Sequence, residues 1–164
     1  QMIYSIESGS AIYSVLVGID IDGIGQKADG SYVINRLERI SATFDAILLA
    51  FNNGYLGAKK ARYLPQMEFL GGIATISHPY PFMVSPPRLK AINGKLEPWY
   101  INDTISRASK IVSTIDNINI ELFYADKEFN TLINNRNIRV TKVENLGELV
   151  NAVKQATIQK YQKK

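Results

Sequence analysis

The chain has 164 residues but no cysteine, and its single histidine is His78. The lack of cysteine excludes a disulfide-stapled fold or a zinc ribbon, and one histidine excludes a histidine-rich metal site. We interpret His78, which is followed by prolines, as a capping or packing group rather than a catalytic base. We expect residues 1–164 to form a single α/β domain in which Met2 is the natural start and Gln1 an added residue.

Long apolar runs are also missing. The longest strongly apolar segment, residues 46–51, has the length of a strand and is far shorter than the roughly 18 residues that cross a bilayer. Neither the glycine-rich fingerprints of dinucleotide and P-loop sites nor a Gly-x-Ser-x-Gly elbow is present. Because no signal-peptide pattern precedes the first strand, we expect a cytoplasmic protein that is not inserted in a membrane.

Positive charge is concentrated after the first third of the chain. Residues 1–50 contain three Lys or Arg and six Asp or Glu, whereas residues 51–164 contain 16 and nine. The strongest basic patch follows two asparagines, in the order Asn52, Asn53, Lys59, Lys60 and Arg62. Such side chains contact phosphates and bases, so we predict a DNA- or RNA-binding patch there, with a solvated helix face as the alternative.

The first half of the chain predicts strands and one clear helix. Turn residues between two β-rich segments predict an opening antiparallel hairpin, and Ser31 is a plausible N-cap for the next helix. The prolines that follow predict an ordered but irregular surface loop. The predicted elements are strands at 2–6 and 11–21, a helix at 31–43, a central strand at 46–51, a helix at 58–63, a strand at 72–77 and the loop at 78–87.

The second half alternates helices and strands. We predict a helix capped by Asn102 or Asp103, then a strand at 118–125, a helix at 127–134, a strand at 138–143 and a helix at 146–161. Trp99 and Tyr100 are interpreted as an aromatic pair that enters a strand and packs there, with stacking on a nucleic-acid base as the alternative. This βαβα order predicts an α/β fold with helices on both faces of a mixed sheet.

Three aspartates lie close together near glycines after the second predicted strand. Asp20, Asp22 and Asp29 are hard oxygen ligands of the kind that Mg²⁺ prefers. The same residues suit an ordinary polar turn equally well. The pattern therefore leaves open a magnesium site and a purely structural turn.

The order of these elements resembles the archaeal endonuclease-V-like family of uncharacterised proteins, in the RNase H-like superfamily. The segments that carry the resemblance are Ile-Glu-Ser-Gly at 6–9, Ala-Asp-Gly at 28–30, Leu-Ala-Phe-Asn-Asn-Gly at 49–54 and Thr-Ile-Ser-Arg-Ala at 104–108. The resemblance implies an RNase H-like mixed sheet and makes Glu7 and Asp29 metal ligands. Ala50 stands where the family has its third acidic residue, which implies a catalytically depleted relative.

Three functions remain open at this point. The first is a nucleic-acid-binding α/β domain, a depleted nuclease-like protein without efficient catalysis. The second is an active Mg²⁺-dependent nuclease that uses Glu7 and Asp29 with Asp20 or Asp22. The third is a protein-interaction or assembly module in which the loop at 78–87 and the helix at 146–161 contact a protein partner or a second copy of the chain.

Overall fold

The computed structural model describes residues 12–53, 68–92, 95–126 and 138–162. The predicted helices at 58–63 and 127–134 and the first strand of the predicted hairpin lie outside these residues. The elements in chain order are α1 (Arg36–Asn53), β1 (Gly71–His78), β2 (Lys90–Ile92), β3 (Lys95–Glu97), α2 (Trp99–Thr114), β4 (Asn119–Asp126), β5 (Arg139–Val143) and α3 (Leu146–Gln162).

The main sheet is mixed. Its strand order is β1-β4-β5, with β1 antiparallel and β5 parallel to the central strand β4. The strands β2 and β3 form a separate antiparallel pair. The predicted α/β class and mixed sheet are therefore confirmed, and β4, β5 and α3 form where the sequence predicts two strands and a helix.

The strand β4 separates two hydrophobic cores because its side chains alternate between the two faces of the sheet. Leu122 and its neighbours at even positions pack beside α2, and Phe123 and Ala125 pack beside α1 and α3. The predicted placement of helices on both faces is thus confirmed. The α2-side core consists of Tyr100, Ile101, Ile105, Ala108, Ile120, Leu122, Tyr124 and Ile138. The opposite core consists of Ile40, Phe44, Phe123, Ala125, Leu149 and Val153.

The predicted central strand at 46–51 is wrong, because these residues form the second half of α1. Ile40 and Phe44 are buried and Ile47 and Phe51 are half-buried, which is the spacing of one helix face, whereas Leu49 is exposed. A short apolar run rich in Leu and Ala does not by itself distinguish a buried strand from a helix. The helix also begins later than predicted, since Ser31 lies in the preceding turn rather than at an N-cap.

Residues 12–20, predicted as the second strand of the hairpin, form no strand. Their large apolar side chains are exposed, Tyr13 by 85%. The prediction is wrong for this segment because apolar β-forming residues become a strand only where a neighbouring strand completes the backbone hydrogen bonds, and no described residue does so. The segment and β1 line the same cavity of about 3100 Å³.

The helix α2 begins at Trp99, earlier than the predicted caps. Pro98 precedes it and provides no side-chain cap, so the capping role predicted for Asn102 or Asp103 is wrong. Trp99 and Tyr100 consequently open a helix rather than a strand, although the packing role predicted for Tyr100 is confirmed by its burial. His78 ends β1 with an exposed side chain, so the predicted packing role does not hold for this residue.

The burial of Tyr100 predicts a loss of stability at alkaline pH. Burial, together with the nearby charge of Asp126, raises the pKa of Tyr100 from 10 to about 12. The unfolded chain releases the Tyr100 proton at a lower pH than the folded chain does. The contribution of protonated Tyr100 to the free energy of unfolding is therefore complete below pH 10 and is lost as the pH rises to about 12. We expect urea denaturation between pH 9 and pH 11 to show a shallower decline for Tyr100→Phe than for the native chain. Tyr80→Phe, which alters an exposed ring, should keep the native profile; equal profiles for all three would contradict the prediction.

Candidate nucleic-acid interface

The predicted aspartates are bound within their own turns. Asp20 accepts the backbone N–H of Asp22 through Oδ1 at 3.0 Å. Asp29 accepts both the backbone N–H and the hydroxyl of Ser31, and these bonds lower the pKa of the Asp29 carboxyl. Both carboxylates therefore accept the backbone hydrogen bond that stabilises a polar turn.

Asp22 is part of a contact that joins this turn to two helices. Its carboxylate accepts the hydroxyl of Tyr161 at 2.6 Å and lies 3.6 Å from the guanidinium of Arg36. The guanidinium of Arg36 lies over the rings of Tyr32 and Tyr161 and donates to the carbonyls of Ile21, Asp22 and Ile24. Burial and the hydrogen bond to Asp22 raise the pKa of Tyr161 above its ordinary value. These contacts of Asp22, Arg36 and Tyr161 hold α1 and α3 against the turn.

No three His, Cys, Asp or Glu side chains come together to hold a metal ion within the described ranges. Glu7 lies outside those ranges, so the predicted magnesium site stays a prediction. What the structure adds is that Asp20, Asp22 and Asp29 already have partners in the turn and on α3.

The predicted nucleic-acid patch is only partly described. Asn52 is exposed near the end of α1 and Asn53 is the last residue of that helix. Lys59, Lys60 and Arg62 lie outside the described residues. The asparagines thus lie at the end of a helix and do not follow the strand that the sequence predicted, and the patch as a whole stays a prediction.

A different basic surface is formed by Arg88, Lys90 and Trp99, which we call the cation–tryptophan cluster. The Lys90 ammonium lies 4.2 Å and the Arg88 guanidinium 5.1 Å from the centroid of the Trp99 ring. Arg88 and Lys90 are exposed, and Trp99 is half-buried. Contact with the ring orients both cations without neutralising them, so they are available to phosphates.

One acidic side chain, that of Glu97, lies close to this cluster as well. Glu97 on β3 is the register partner of Lys90 on β2, and directly opposed residues of an antiparallel pair share a face. Glu97 therefore reduces the local positive potential. Its position provides a direct electrostatic test of the surface, because removing its charge should favour an anionic ligand.

The proline-rich loop, residues 79–89, carries Arg88 and is attached to the rest of the fold at two points, Phe82 and Ser85. At Phe82 it contacts β1, since the Phe82 N–H donates to Ser77 Oγ at 2.9 Å and Thr75 Oγ1 donates to the Phe82 carbonyl at 3.3 Å. At Ser85 it contacts α2, where the Ser85 N–H donates to Thr104 Oγ1 at 2.9 Å. The irregular loop predicted at 78–87 is confirmed except at its first residue, because His78 ends β1.

A second set of contacts at Ser85 involves charged side chains of α2. The Ser85 hydroxyl donates to Asp103 Oδ2 and accepts from Arg107 Nη1 at 2.9 Å. The Arg107 guanidinium also lies 5.4 Å from the centroid of the Phe82 ring. Arg107 is exposed and adds a third cation beside the loop.

Sequence reasoning missed the cation–tryptophan cluster. The sequence predicts packing or base stacking for Trp99, and Arg88 and Lys90 contribute there only to the net charge. The available signal was the Arg88-Leu89-Lys90 pattern, because in extended chain alternate residues project to the same side. The pairing of this segment with Trp99 depends on the β2–β3 hairpin, which places the start of α2 beside β2.

The described residues thus form an α/β chain with a basic surface built on a loop and a hairpin. The chain belongs to the CRISPR-associated negative auto-regulator DevR/Csa2 family, whose model matches residues 1–96, more than half of its length. It is also similar to the CRISPR-associated aCascade subunit Cas7/Csa2 2 of Saccharolobus solfataricus, with 28% identity over 148 residues. That alignment covers 85% of this chain and 40% of the relative, so the chain spans about two fifths of the relative's length.

The resemblance to the endonuclease-V-like family is therefore wrong, because the family and relative that match are CRISPR-associated. The structure shows why the motifs misled. The Leu-Ala-Phe-Asn-Asn segment from residue 49 lies in α1 and not at the end of a strand, so Ala50 does not occupy the position of a lost catalytic acid. Separately, none of the described helices is long and apolar enough to cross a membrane.

Proposed function

We propose that this chain is a nucleic-acid-binding subunit of a CRISPR-associated complex of protein and nucleic acid, and that it acts by binding and assembly rather than by cleavage. The observation that carries the proposal is its membership of the DevR/Csa2 family. The name of the Saccharolobus solfataricus relative, a subunit of aCascade, supports the assembly role. Protein partners are accordingly part of the proposal.

The exposed cations support the binding role. Arg88, Lys90 and Arg107 project from one region, and the aromatic rings of Trp99 and Phe82 hold them in place. Phosphate contacts of this kind supply most of the sequence-independent affinity for nucleic acid. The described aspartates favour binding over cleavage, because Asp20 and Asp29 are committed to hydrogen bonds in their turn.

The test is a fluorescence-anisotropy titration of the native chain with labelled single-stranded RNA, repeated with single-stranded DNA. We expect binding whose logarithmic affinity falls linearly with the logarithm of salt concentration, with a slope of about −0.7 for each phosphate contacted. Sedimentation with RNA present should show species larger than one chain per strand. A flat titration at low salt with both nucleic acids would contradict the binding proposal, and Mg²⁺-dependent breakdown of the RNA would contradict the non-enzymatic one.

A further inference from the structure

We infer that the hydrogen bond between Ser85 and Asp103 positions the proline-rich loop for nucleic-acid binding, an inference that rests on the proposed function. Ser85 is the buried residue of an otherwise largely accessible loop, with 2% of its surface exposed. A buried hydroxyl without a partner is costly, so its bond to Asp103 determines where this part of the loop lies. Ser85 and Asp103 are positioning residues and need not touch the ligand.

The chain between Ser85 and the cation–tryptophan cluster is short and stiff. Pro86 and Pro87 join Ser85 directly to Arg88. Each proline fixes its own φ, and consecutive prolines favour an extended, semi-rigid conformation. Because this short segment is stiff, a displacement of Ser85 on α2 should also displace Arg88, which lies over Trp99.

Three residues of α2 contact Ser85. Its N–H reaches Thr104 Oγ1, which in turn donates to the carbonyl of Tyr100 at 2.7 Å. Its hydroxyl bridges Asp103 and Arg107. Loss of the Asp103 bond leaves the contacts with Thr104 and Arg107 in place, so the expected result is a less firmly positioned loop on an intact fold.

Electrostatics and positioning predict opposite effects for Asp103. Asp103 is an anion that shares the Ser85 hydroxyl with the cation Arg107, so its charge alone weakens the attraction for phosphates, and any neutral replacement should strengthen binding. If Asp103 positions the loop, the outcome depends on whether the replacement still accepts a hydrogen bond. Asparagine retains an acceptor oxygen and alanine does not, although both remove the same charge.

The experiment compares Ser85→Ala, Asp103→Ala and Asp103→Asn by RNA anisotropy at one salt concentration. We expect Ser85→Ala and Asp103→Ala to weaken binding about 3- to 10-fold, the affinity equivalent of one ordinary hydrogen bond. Asp103→Asn should bind RNA at least as tightly as the native chain. The thermal midpoint of each variant shows whether its fold is retained.

Trypsin cleavage after Arg88 gives a second measurement that does not depend on RNA. We expect faster cleavage there in Ser85→Ala and Asp103→Ala than in Asp103→Asn, because only the first two release the loop. Equal affinities and equal cleavage rates for Asp103→Ala and Asp103→Asn would overturn the positioning role. Absence of RNA binding by the native chain would instead contradict the proposed function, while the cleavage rates would still test the contact.

Discussion

Replacement of Leu122 by alanine should lower the free energy of unfolding by about 2–5 kcal/mol. Leu122 has no exposed surface and lies on the central strand β4, opposite Thr75 on β1 and Val140 on β5. Alanine removes the apolar contacts of this side chain and leaves a cavity that strands on both sides prevent from closing. The α2-side core depends on this position more than on any half-buried residue.

Chemical denaturation of the purified variants measures this effect, and Leu49→Ala is the matched control. Leu49 lies on α1 with 57% of its surface exposed, so the same substitution should change the free energy of unfolding by about 0.5 kcal/mol or less. Similar losses in the two variants would show that Leu122 is not in the core that the structure describes.

Removal of both cations by Arg88→Ala with Lys90→Ala should weaken RNA binding about 10- to 100-fold at low salt. Both side chains are exposed and held by the ring of Trp99, so their loss removes phosphate contacts without opening a core. The salt slope should become shallower by about 1.4, which corresponds to two phosphate contacts on a single strand. Anisotropy titrations at several salt concentrations measure both quantities.

Two further variants separate a local site from a general effect of charge. The double variant Lys27→Ala with Arg39→Ala removes the same charge from exposed positions in the turn and on α1, on the opposite side of the sheet from α2. We expect it to weaken binding less than about twofold, because salt screens distant charges. Glu97→Gln should tighten binding. An equal loss in the two double variants would refute the cation–tryptophan cluster as a specific site.

The regular C-terminal half could be predicted from local patterns. The strand-like segment at 118–125, the period-two alternation along 138–143 and the helical spacing along 146–161 predict two strands and a helix, and β4, β5 and α3 form at these places. Short apolar runs leave the choice between a strand and a helix open. Residues 46–51 are six apolar residues that suit a buried strand or a helix, and the choice depends on whether Phe44 and Ile40 continue the same face.

The candidate site was less predictable than the fold. The resemblance implied Glu7 and Asp29 as metal ligands; Glu7 lies outside the described residues, Asp29 accepts hydrogen bonds from Ser31, and the metal site stays a prediction. The cluster of Arg88, Lys90 and Trp99 could not be foreseen because side chains separated along the chain meet there only after β2 and β3 pair.

The sequence by itself determined the α/β class, the helices on both faces of the sheet, the order of the C-terminal elements and the irregular course of the proline-rich loop. These follow from the periodicity of apolar residues and from the fixed φ of proline, which act over a few neighbouring residues. Only the tertiary structure decided that residues 46–51 are helical, that residues 12–20 have no strand partner among the described residues, and that the Ser85 hydroxyl donates to Asp103. Each of these depends on contacts between distant parts of the chain, which local patterns do not contain.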